Sequence, residues 1–187
     1  MAIQVTRRQF TAAEYDRMIE TGILQEDDRV ELIDGDILEM SPIGSRHAAC
    51  VNRLNALLIQ HAGQQAIVSV QNPIRLGTYS EPEPDIAVLK PDSEYYAYAH
   101  PTAADILLLI EVAETSLEYD REVKIPRYAA VGIPEVWLLD LRHQVVVVYT
   151  QPHNNTYQHQ HTVQGGELVR SSILGGVAFH ADDILWQ

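Results

Sequence analysis

The stretch from Ile106 to Asp140 constrains the fold of this chain more than any other part of the sequence. It opens with an apolar run that ends on Glu111 and closes with a second apolar run, Val136 to Leu139. The first run shows no polar alternation, which predicts a strand buried on both faces. Between the runs, Arg121 to Ala130 predicts a helix that a glycine and a proline terminate. Strand, helix and strand in this order predict a parallel pair joined by a crossover.

Two carboxylates stand at ends of predicted strands. Glu111 closes the first strand of the crossover unit, and Asp85 opens the strand Asp85 to Leu89 directly after Pro84. If these strands are antiparallel neighbours, the start of one lies beside the end of the other, and both carboxylates meet at one edge of the sheet. Ligands of open sheets bind beyond the carboxyl ends of strands, so this edge is a candidate site. Carboxylates beside a backbone carbonyl suit Mg²⁺ or Mn²⁺.

The N-terminal part of the chain predicts a helix, a hairpin and a second helix. Thr11 to Glu14 has the pattern of a capping box for a helix from Ala12 to Thr21. Asp34-Gly35, which lies between two β-rich runs, predicts a tight hairpin. Ser45 is the predicted cap of a helix from Arg46 to His61, whose apolar residues recur at helical spacing.

Three further runs predict strands, and the end of the chain predicts one or two β-hairpins. The predicted strands are Ala66 to Val70, Asp85 to Leu89 and Val145 to Tyr149. Pro91 to Thr102 is polar and contains tyrosines, which indicates an exposed loop or one helical turn. We therefore expect one domain over residues 1–187, with an N-terminal extension (1–44), a core (about 45–150) and a β-rich tail (151–187).

Composition limits the class of partner and the compartment. A net charge of −13 argues against a protein that binds nucleic acid over its whole surface. It still allows binding through a local basic groove or through bound metal ions that supply positive charge. The absence of a long apolar run, and the polar N-terminus, lead us to expect neither a membrane span nor a signal peptide. The single cysteine, Cys50, excludes an internal disulfide and cysteine-rich zinc sites, so we expect a reducing cytoplasm.

The order of these motifs resembles the PD-(D/E)XK nuclease superfamily. Within it, the chain resembles a bacterial family of putative restriction endonucleases. The resemblance covers roughly Phe10 to Tyr149 and, more loosely, the tail. It is carried by these segments: ELIDG at 31–35, His47, EPDIAV at 83–88, IEV at 110–112, YDREVK at 119–124 and GIPEVWLLD at 132–140.

The resemblance implies an α/β fold, a restriction-endonuclease-like core in which helices flank a central mixed sheet, with an N-terminal helix-hairpin and C-terminal β-hairpin additions. It also implies a Mg²⁺- or Mn²⁺-dependent endonuclease that acts on DNA. Asp85 and Glu111 would be the catalytic acids, and they would bind the metal with the backbone carbonyl of Val112. The lysine expected two residues after the acid is replaced by Ala113, and Lys124 would take its role. Two further residues would lie near the site: Glu31 and His47.

Several alternatives remain open from the sequence. Ala113, the acidic composition and the lack of an evident target-recognition domain favour a nuclease-like fold that binds or assembles without catalysis. A homodimer is expected if the protein cuts both strands of a duplex, because one active site cuts one strand. Two groups of residues carry weaker hypotheses. A transition-metal site is suggested by His153, His159, His161 and His180, but these residues are better explained as exposed polar residues of β-strands. Stacking on nucleic-acid bases is suggested by Tyr95, Tyr96 and Tyr98, but packing of their loop against its own domain explains them better. Ser116 and Asp120 are predicted as helix caps. The spacing of Arg121, Lys124 and Tyr128 predicts that they share one helical face.

Overall fold

The structure, a computed structural model, describes residues 7–25 and 27–185. The helices in these ranges are α1 (Ala12–Glu20), α2 (Ser45–Ala62), α3 (Leu117–Tyr119), α4 (Ile125–Ala130) and α5 (Ala181–Ile184), and a π-helical turn, Asp120–Lys124, joins α3 to α4. The strands are β1 (Val30–Ile33), β2 (Asp36–Glu39), β3 (Ile67–Val70), β4 (Ile86–Leu89), β5 (Ile106–Ala113), β6 (Glu135–Asp140), β7 (Val145–His153), β8 (Thr156–Gln164), β9 (Leu168–Arg170) and β10 (Ala178–His180). None of the helices described here is long and apolar enough to cross a membrane.

Six strands form the central sheet in the order β3-β4-β5-β6-β7-β8. β5 and β6 are parallel, and the other neighbours in the sheet are antiparallel. The predicted strand–helix–strand crossover is therefore confirmed, and so is the α/β fold with a central mixed sheet. Residues 117–130 form the crossover connection between the parallel strands.

Each face of the central sheet is covered by an apolar layer. On one face, Leu54 and Leu58 of α2 pack with Trp137 and with Phe179 of the tail. On the other face, residues of the crossover pack against Leu109 and the rest of that face. Seven of the eight residues of β5 are fully buried, as predicted for a strand without polar alternation. The sheet thus holds the start of β4 and the end of β5 between two layers.

The N-terminal helix and hairpin form as predicted. Thr11 makes the capping box of α1 with Glu14, and the turn between β1 and β2 contains Asp34 and Gly35 at φ 50° and 83°. Both residues of the turn adopt the left-handed conformation that Asn, Asp and Gly tolerate best. A bridge between Leu32 and the residues before β4 docks the hairpin on the core. This contact brings β1 alongside the candidate site.

Two predicted boundaries are wrong at the ends of the elements that carry the candidate site. Glu111 does not end its strand, because pairing with β6 continues through Ala113 opposite Asp140. Ser45 does not cap α2 but is its first residue. The N-cap is Gly44, which has no side chain to accept a capping hydrogen bond. These errors amount to two positions and one position, and they leave the elements themselves unchanged.

The first half of the tail is part of the central sheet. β7 runs through the predicted boundary at residue 150 to His153, and β8 pairs with it along its length. β9 and β10 form a separate hairpin whose residues Val169 and Phe179 enter the apolar layer under α2. Residues 1–6, 26 and 186–187 of the predicted domain lie outside the described part of the chain.

Candidate active site

The two predicted carboxylates lie at the same edge of the central sheet. Ile86 pairs with Ile110 in the antiparallel register of β4 and β5, so one further step sets Asp85 opposite Glu111. A cavity of about 320 Å³ opens at this edge. It is lined by every side chain that the sequence singled out for the site: Asp85, Glu111, Lys124, Glu31 and His47.

Three donors hold Asp85 in place. His47 Nε2 lies 3.0 Å from Oδ2, and the amide of Val112 donates to the same oxygen at 2.8 Å. Gln71 Nε2 donates to Oδ1 at 3.2 Å. Burial opposes the charged form of His47, but the hydrogen bond and charge of Asp85 outweigh burial and raise the pKa of His47. The pair therefore favours a carboxylate held by an imidazolium, with one lone pair of Oδ1 still available.

Glu111 is buried, and two side chains from the crossover contact one of its oxygens. The hydroxyl of Tyr128 donates to Oε1 at 2.5 Å, and Lys124 Nζ lies 3.3 Å from the same atom. Burial raises the pKa of Glu111 to about 8, against the lowering effect of Lys124. Even beside the ammonium of Lys124, this carboxyl group therefore holds its proton more tightly than an exposed glutamic acid does.

Lys124 is one of two lysines in the chain, and its side chain is 6% exposed. Its Nζ lies 3.3 Å from Glu31 Oε2 and donates to the carbonyl oxygen of Glu83 at 3.2 Å. Burial alone would lower the pKa of Lys124, but the carboxylates, with Glu111 and Glu31 foremost, outweigh burial and raise it. The ammonium is therefore positively charged at any physiological pH.

The N-terminal hairpin contributes Glu31 from β1, and this carboxylate is 2% exposed. Its Oε1 accepts a hydrogen bond from the Tyr119 hydroxyl at 2.8 Å, and its Oε2 accepts one from the Glu83 amide at 3.1 Å. Hydrogen bonds to both oxygens and the ion pair to Lys124 fix Glu31 between the crossover and the segment before β4. The extension is therefore part of the site.

Two predictions about the crossover differ from the structure. Ser116 and Asp120 occupy the two cap positions of α3, but Ser116 makes no capping hydrogen bond with its side chain. Its hydroxyl instead donates to Asp120 Oδ2 at 2.7 Å, and Asp120 is buried beside the cavity, where burial raises its pKa. Arg121 does not share the inner face with Lys124 and Tyr128 but is exposed. The cause is the π-helical turn, which changes the angular spacing that an α-helix would give residues 120–124.

The sequence did not identify Gln71, Tyr119 and Tyr128 as residues of the site. Tyr128 follows Lys124 by four positions, a spacing that puts both on one helical face, and this signal was available. Tyr119 and Gln71 carried no comparable signal. Gln71 reaches Asp85 from a backbone at φ 50°, just after β3 ends. Such a contact depends on how the chain leaves the strand.

The oxygen atoms around the cavity fit a divalent metal ion. Asp85 Oδ1 and Glu111 Oε2 retain lone pairs beyond the donors described above. In the register of β4 and β5, position 84 lies opposite Val112, and Pro84 has no amide to bond the Val112 carbonyl. In the described residues, no three or more His, Cys, Asp or Glu side chains form a metal-binding group. The fit therefore depends on two carboxylates and a carbonyl.

The weaker candidates from the sequence do not join this site. His159 and His161 are exposed on β8, and within the described residues neither belongs to a cluster of three metal-binding side chains. Tyr95 and Tyr98 are exposed, whereas Tyr96 donates its hydroxyl hydrogen bond to the Lys90 carbonyl at 3.0 Å. Their loop follows β4, so it lies at the far end of that strand from Asp85.

Comparison with known proteins agrees with this fold. A solved structure, described as a putative nuclease belonging to DUF820 from Anabaena variabilis ATCC 29413, is similar with a TM-score of 0.71 and 20% sequence identity, over 88% of this chain and 94% of that one. At this identity the likeness concerns the fold. No protein of curated function matches the chain. The model of the Uma2 family, described as putative restriction endonuclease, matches residues 12–182. The chain therefore belongs to the Uma2 family.

Proposed function

We propose that this protein is a metal-dependent endonuclease that hydrolyses phosphodiester bonds in DNA and uses Mg²⁺ or Mn²⁺. The observation that carries the proposal is the pairing of Asp85 and Glu111 across β4 and β5 at a cavity that also holds a buried lysine. Membership of a family described as putative restriction endonucleases supports the same reaction.

Asp85, Glu111 and the Val112 carbonyl would hold the metal ion. When bound, it would lower the pKa of a water molecule and offset negative charge on the phosphate. The charges of the site favour such an ion, because Lys124 is shared between Glu31 and Glu111 and does not contact Asp85 closely enough to pair with it. A divalent cation would also favour the ionised form of Glu111, whose pKa burial raises.

The side chains around the ligands have separate roles. His47 and Gln71 orient Asp85 through hydrogen bonds to its two oxygens. The ammonium of Lys124 would stabilise negative charge on a phosphate that enters the cavity. It would thereby replace the lysine that the family resemblance leads us to expect two residues after Glu111. Ala113, which occupies that position, is fully buried and has no polar group.

DNA is the proposed partner, although the chain carries a net charge of −13. Recognition of phosphates would therefore depend on the metal and on local cations such as Arg29, which lines the cavity. Without metal, we expect weak binding, because few phosphates can be neutralised.

A homodimer is proposed for cleavage of both strands of a duplex, because two active sites related by two-fold symmetry would be needed. β8 supports this proposal. It is the last strand of the central sheet and contains no Asp, Glu, Lys or Arg among its nine residues. Charged residues are a common protection of edge strands against pairing. Light scattering at micromolar concentration tests the proposal, and a monomer mass contradicts it.

One observation favours a different function, a nuclease-like fold that binds or assembles without catalysis. The position of the usual lysine is Ala113, and the cavity contains more acidic than basic side chains. Such a protein would bind neither Mg²⁺ nor Mn²⁺ at Asp85. Metal binding therefore separates the two functions before any assay of activity.

The test is calorimetric titration of Mn²⁺ into the wild-type protein, Asp85→Asn and Asp36→Asn. Asp36 is an exposed acid of β2 and provides a matched control for the loss of one carboxylate. We expect binding by wild type and Asp36→Asn and none by Asp85→Asn. The same proteins should then be incubated with supercoiled, linear and single-stranded DNA plus Mn²⁺. Cleavage by wild type and not by Asp85→Asn is expected, and absence of Mn²⁺ binding by wild type contradicts the proposal.

A further inference from the structure

The hydroxyl of Tyr128 and the ammonium of Lys124 meet at the same oxygen of Glu111. Tyr128 donates to Oε1 at 2.5 Å, and Lys124 Nζ lies 3.3 Å from it. The two residues are four positions apart, so successive turns of the crossover present both donors to one side of the carboxylate. The other oxygen, Oε2, is left for a ligand in the cavity that Glu111 lines.

We propose that Tyr128 is a positioning residue for Glu111, which fixes one oxygen of the carboxylate so that the other is presented to a metal ion. The inference rests on the proposed function, because a fixed orientation of Glu111 matters only if this side chain binds a metal ion. Tyr128 itself lies behind the carboxylate and does not line the cavity.

Lys124 cannot fix this orientation alone. Its ammonium carries three donors on a flexible stem, and it is shared with Glu31 at the same distance of 3.3 Å. Without a second donor, Glu111 could rotate and present both oxygens to the lysine. That geometry would strengthen the ion pair and remove an oxygen from the metal.

Tyr128 has the rigidity that this role requires. Its side chain has no exposed surface and packs in the apolar layer between the crossover and the sheet. A tyrosine has two side-chain torsions, and packing against Leu109 and its neighbours in that layer fixes both. The position of the hydroxyl is therefore set by the core, independently of the residues that line the cavity.

The expected size of the effect follows from other metal sites. Residues that hydrogen-bond metal ligands typically change metal affinity or activity by about 10- to 100-fold when they are mutated. Tyr128→Phe removes the hydroxyl and retains the ring, so the core keeps its packing. We expect the Kd for Mn²⁺ to rise by about 10-fold or more.

A partly buried tyrosine that packs on the same apolar layer provides the control. The Tyr157 hydroxyl donates to the Ile133 carbonyl at 2.9 Å, and neither residue lines the cavity. Tyr157→Phe also removes one hydroxyl from a packed ring, so its effect on unfolding should resemble that of Tyr128→Phe. Its Kd for Mn²⁺ should equal that of wild type.

The experiment compares wild type, Tyr128→Phe and Tyr157→Phe by Mn²⁺ calorimetry, with melting curves recorded in parallel. A tenfold loss of affinity confined to Tyr128→Phe supports the inference. Replacing Tyr128 by p-aminophenylalanine, which restores a donor at the same place, should recover the affinity and provides a second variant if the phenylalanine protein is poorly folded.

Two results overturn the inference. The first is a folded Tyr128→Phe protein that binds Mn²⁺ with wild-type affinity, which would leave the proposed metal site intact. The second is an equal loss of affinity in both phenylalanine variants, which would indicate a general effect of lowered stability. If wild type itself binds no Mn²⁺, the proposed function fails and the inference fails with it. The wild-type titration therefore distinguishes the two failures.

Discussion

Lys124 is the positive charge on which the buried carboxylates depend. Removing it while keeping the stem, as in Lys124→Met, leaves Glu31 and Glu111 without their cation. Breaking a buried ion pair in this way typically costs about 3–5 kcal/mol of unfolding free energy. If the lysine stabilises charge on the phosphate, cleavage should also fall by about 10²-fold or more.

The other lysine of the chain, Lys90, provides the matched control because it is exposed. Lys90→Met should keep both stability and cleavage close to wild type. Urea denaturation measures the first effect, and nicking of supercoiled DNA at saturating Mn²⁺ measures the second. Undiminished cleavage by Lys124→Met would refute the catalytic role, even if stability falls.

The raised pKa of Glu111 predicts how the stability of the metal-free protein depends on pH. Its pKa is raised by burial from an ordinary 4.5 to about 8, so the folded state binds this proton more tightly than the unfolded chain. Between these two values the folded state carries more protons, and the contribution of Glu111 to stability therefore falls as pH rises. Glu111→Gln, which cannot ionise, should lack this decline.

Melting temperatures of wild type and Glu111→Gln at pH 5 and pH 8, with chelator present, provide the measurement. We expect the variant to gain stability relative to wild type at the higher pH. A difference between the two proteins that is the same at both values would show that Glu111 does not titrate in this window.

The hairpin of β1 and β2 carries Glu31 into the site, and Gly35 is the residue that allows its turn. Gly35 has φ 83°, and a Cβ at this position would lie 2.5 Å from the Cβ of Gln9. Gly35→Ala therefore adds a backbone penalty and a steric clash. We expect it to destabilise the protein by more than about 1 kcal/mol.

Gly175 is the control for this substitution, because its φ is not left-handed and a Cβ there would meet no atom within 4 Å. Gly175→Ala should leave the unfolding free energy within about 0.5 kcal/mol of wild type. Urea denaturation compares the two variants. Equal stability of Gly35→Ala and wild type would mean that the hairpin tolerates a different turn.

The π-helical turn is the element that sets the inner and outer faces of the crossover. Across Asp120–Lys124 it turns Asp120 and Lys124 inward and leaves Arg121 exposed. Turns of this type occur frequently at functional sites, where a change of spacing re-aims a side chain. Here the buried acid and the buried lysine of the turn both reach the cavity.

The whole molecule should unfold as one cooperative unit. Trp137 of the central sheet, Leu54 of α2 and Phe179 of the tail belong to one buried apolar layer. Glu135, fully buried at the start of β6, further joins the tail to the sheet: its oxygens accept hydrogen bonds from Trp137 Nε1 at 2.6 Å and from the Ser172 amide at 2.7 Å. Core and tail therefore share both packing and polar contacts.

Chemical unfolding followed by tryptophan fluorescence and by circular dichroism tests this prediction. The two transitions should coincide, as they do for a two-state domain. A tail that unfolds before the core would give separate midpoints. In that case the segments before and after residue 150 would differ in stability, even though β7 continues across this position.

Local patterns were sufficient to predict most elements and the principal pair of carboxylates. Spacing and turn chemistry are properties of neighbouring residues, so the capping box at Thr11, the Asp34-Gly35 turn and the buried strand before Glu111 could be recognised directly. Asp85 and Glu111 follow because adjacent antiparallel strands bring the start of one beside the end of the other. Lys124 follows from its place on the crossover that begins just after Glu111, and the family resemblance added Glu31 and His47.

Contacts between distant segments could only come from the tertiary structure. Tyr119 and Glu31 are 88 positions apart, and no local pattern relates them. The π-helical turn likewise depends on packing against the sheet, which decides which side chains of the crossover face inward. The burial that raises the pKa of Glu111 arises in the same way, because desolvation is a property of everything packed around a group. The sequence thus determined which acids meet, and the fold decided what surrounds them.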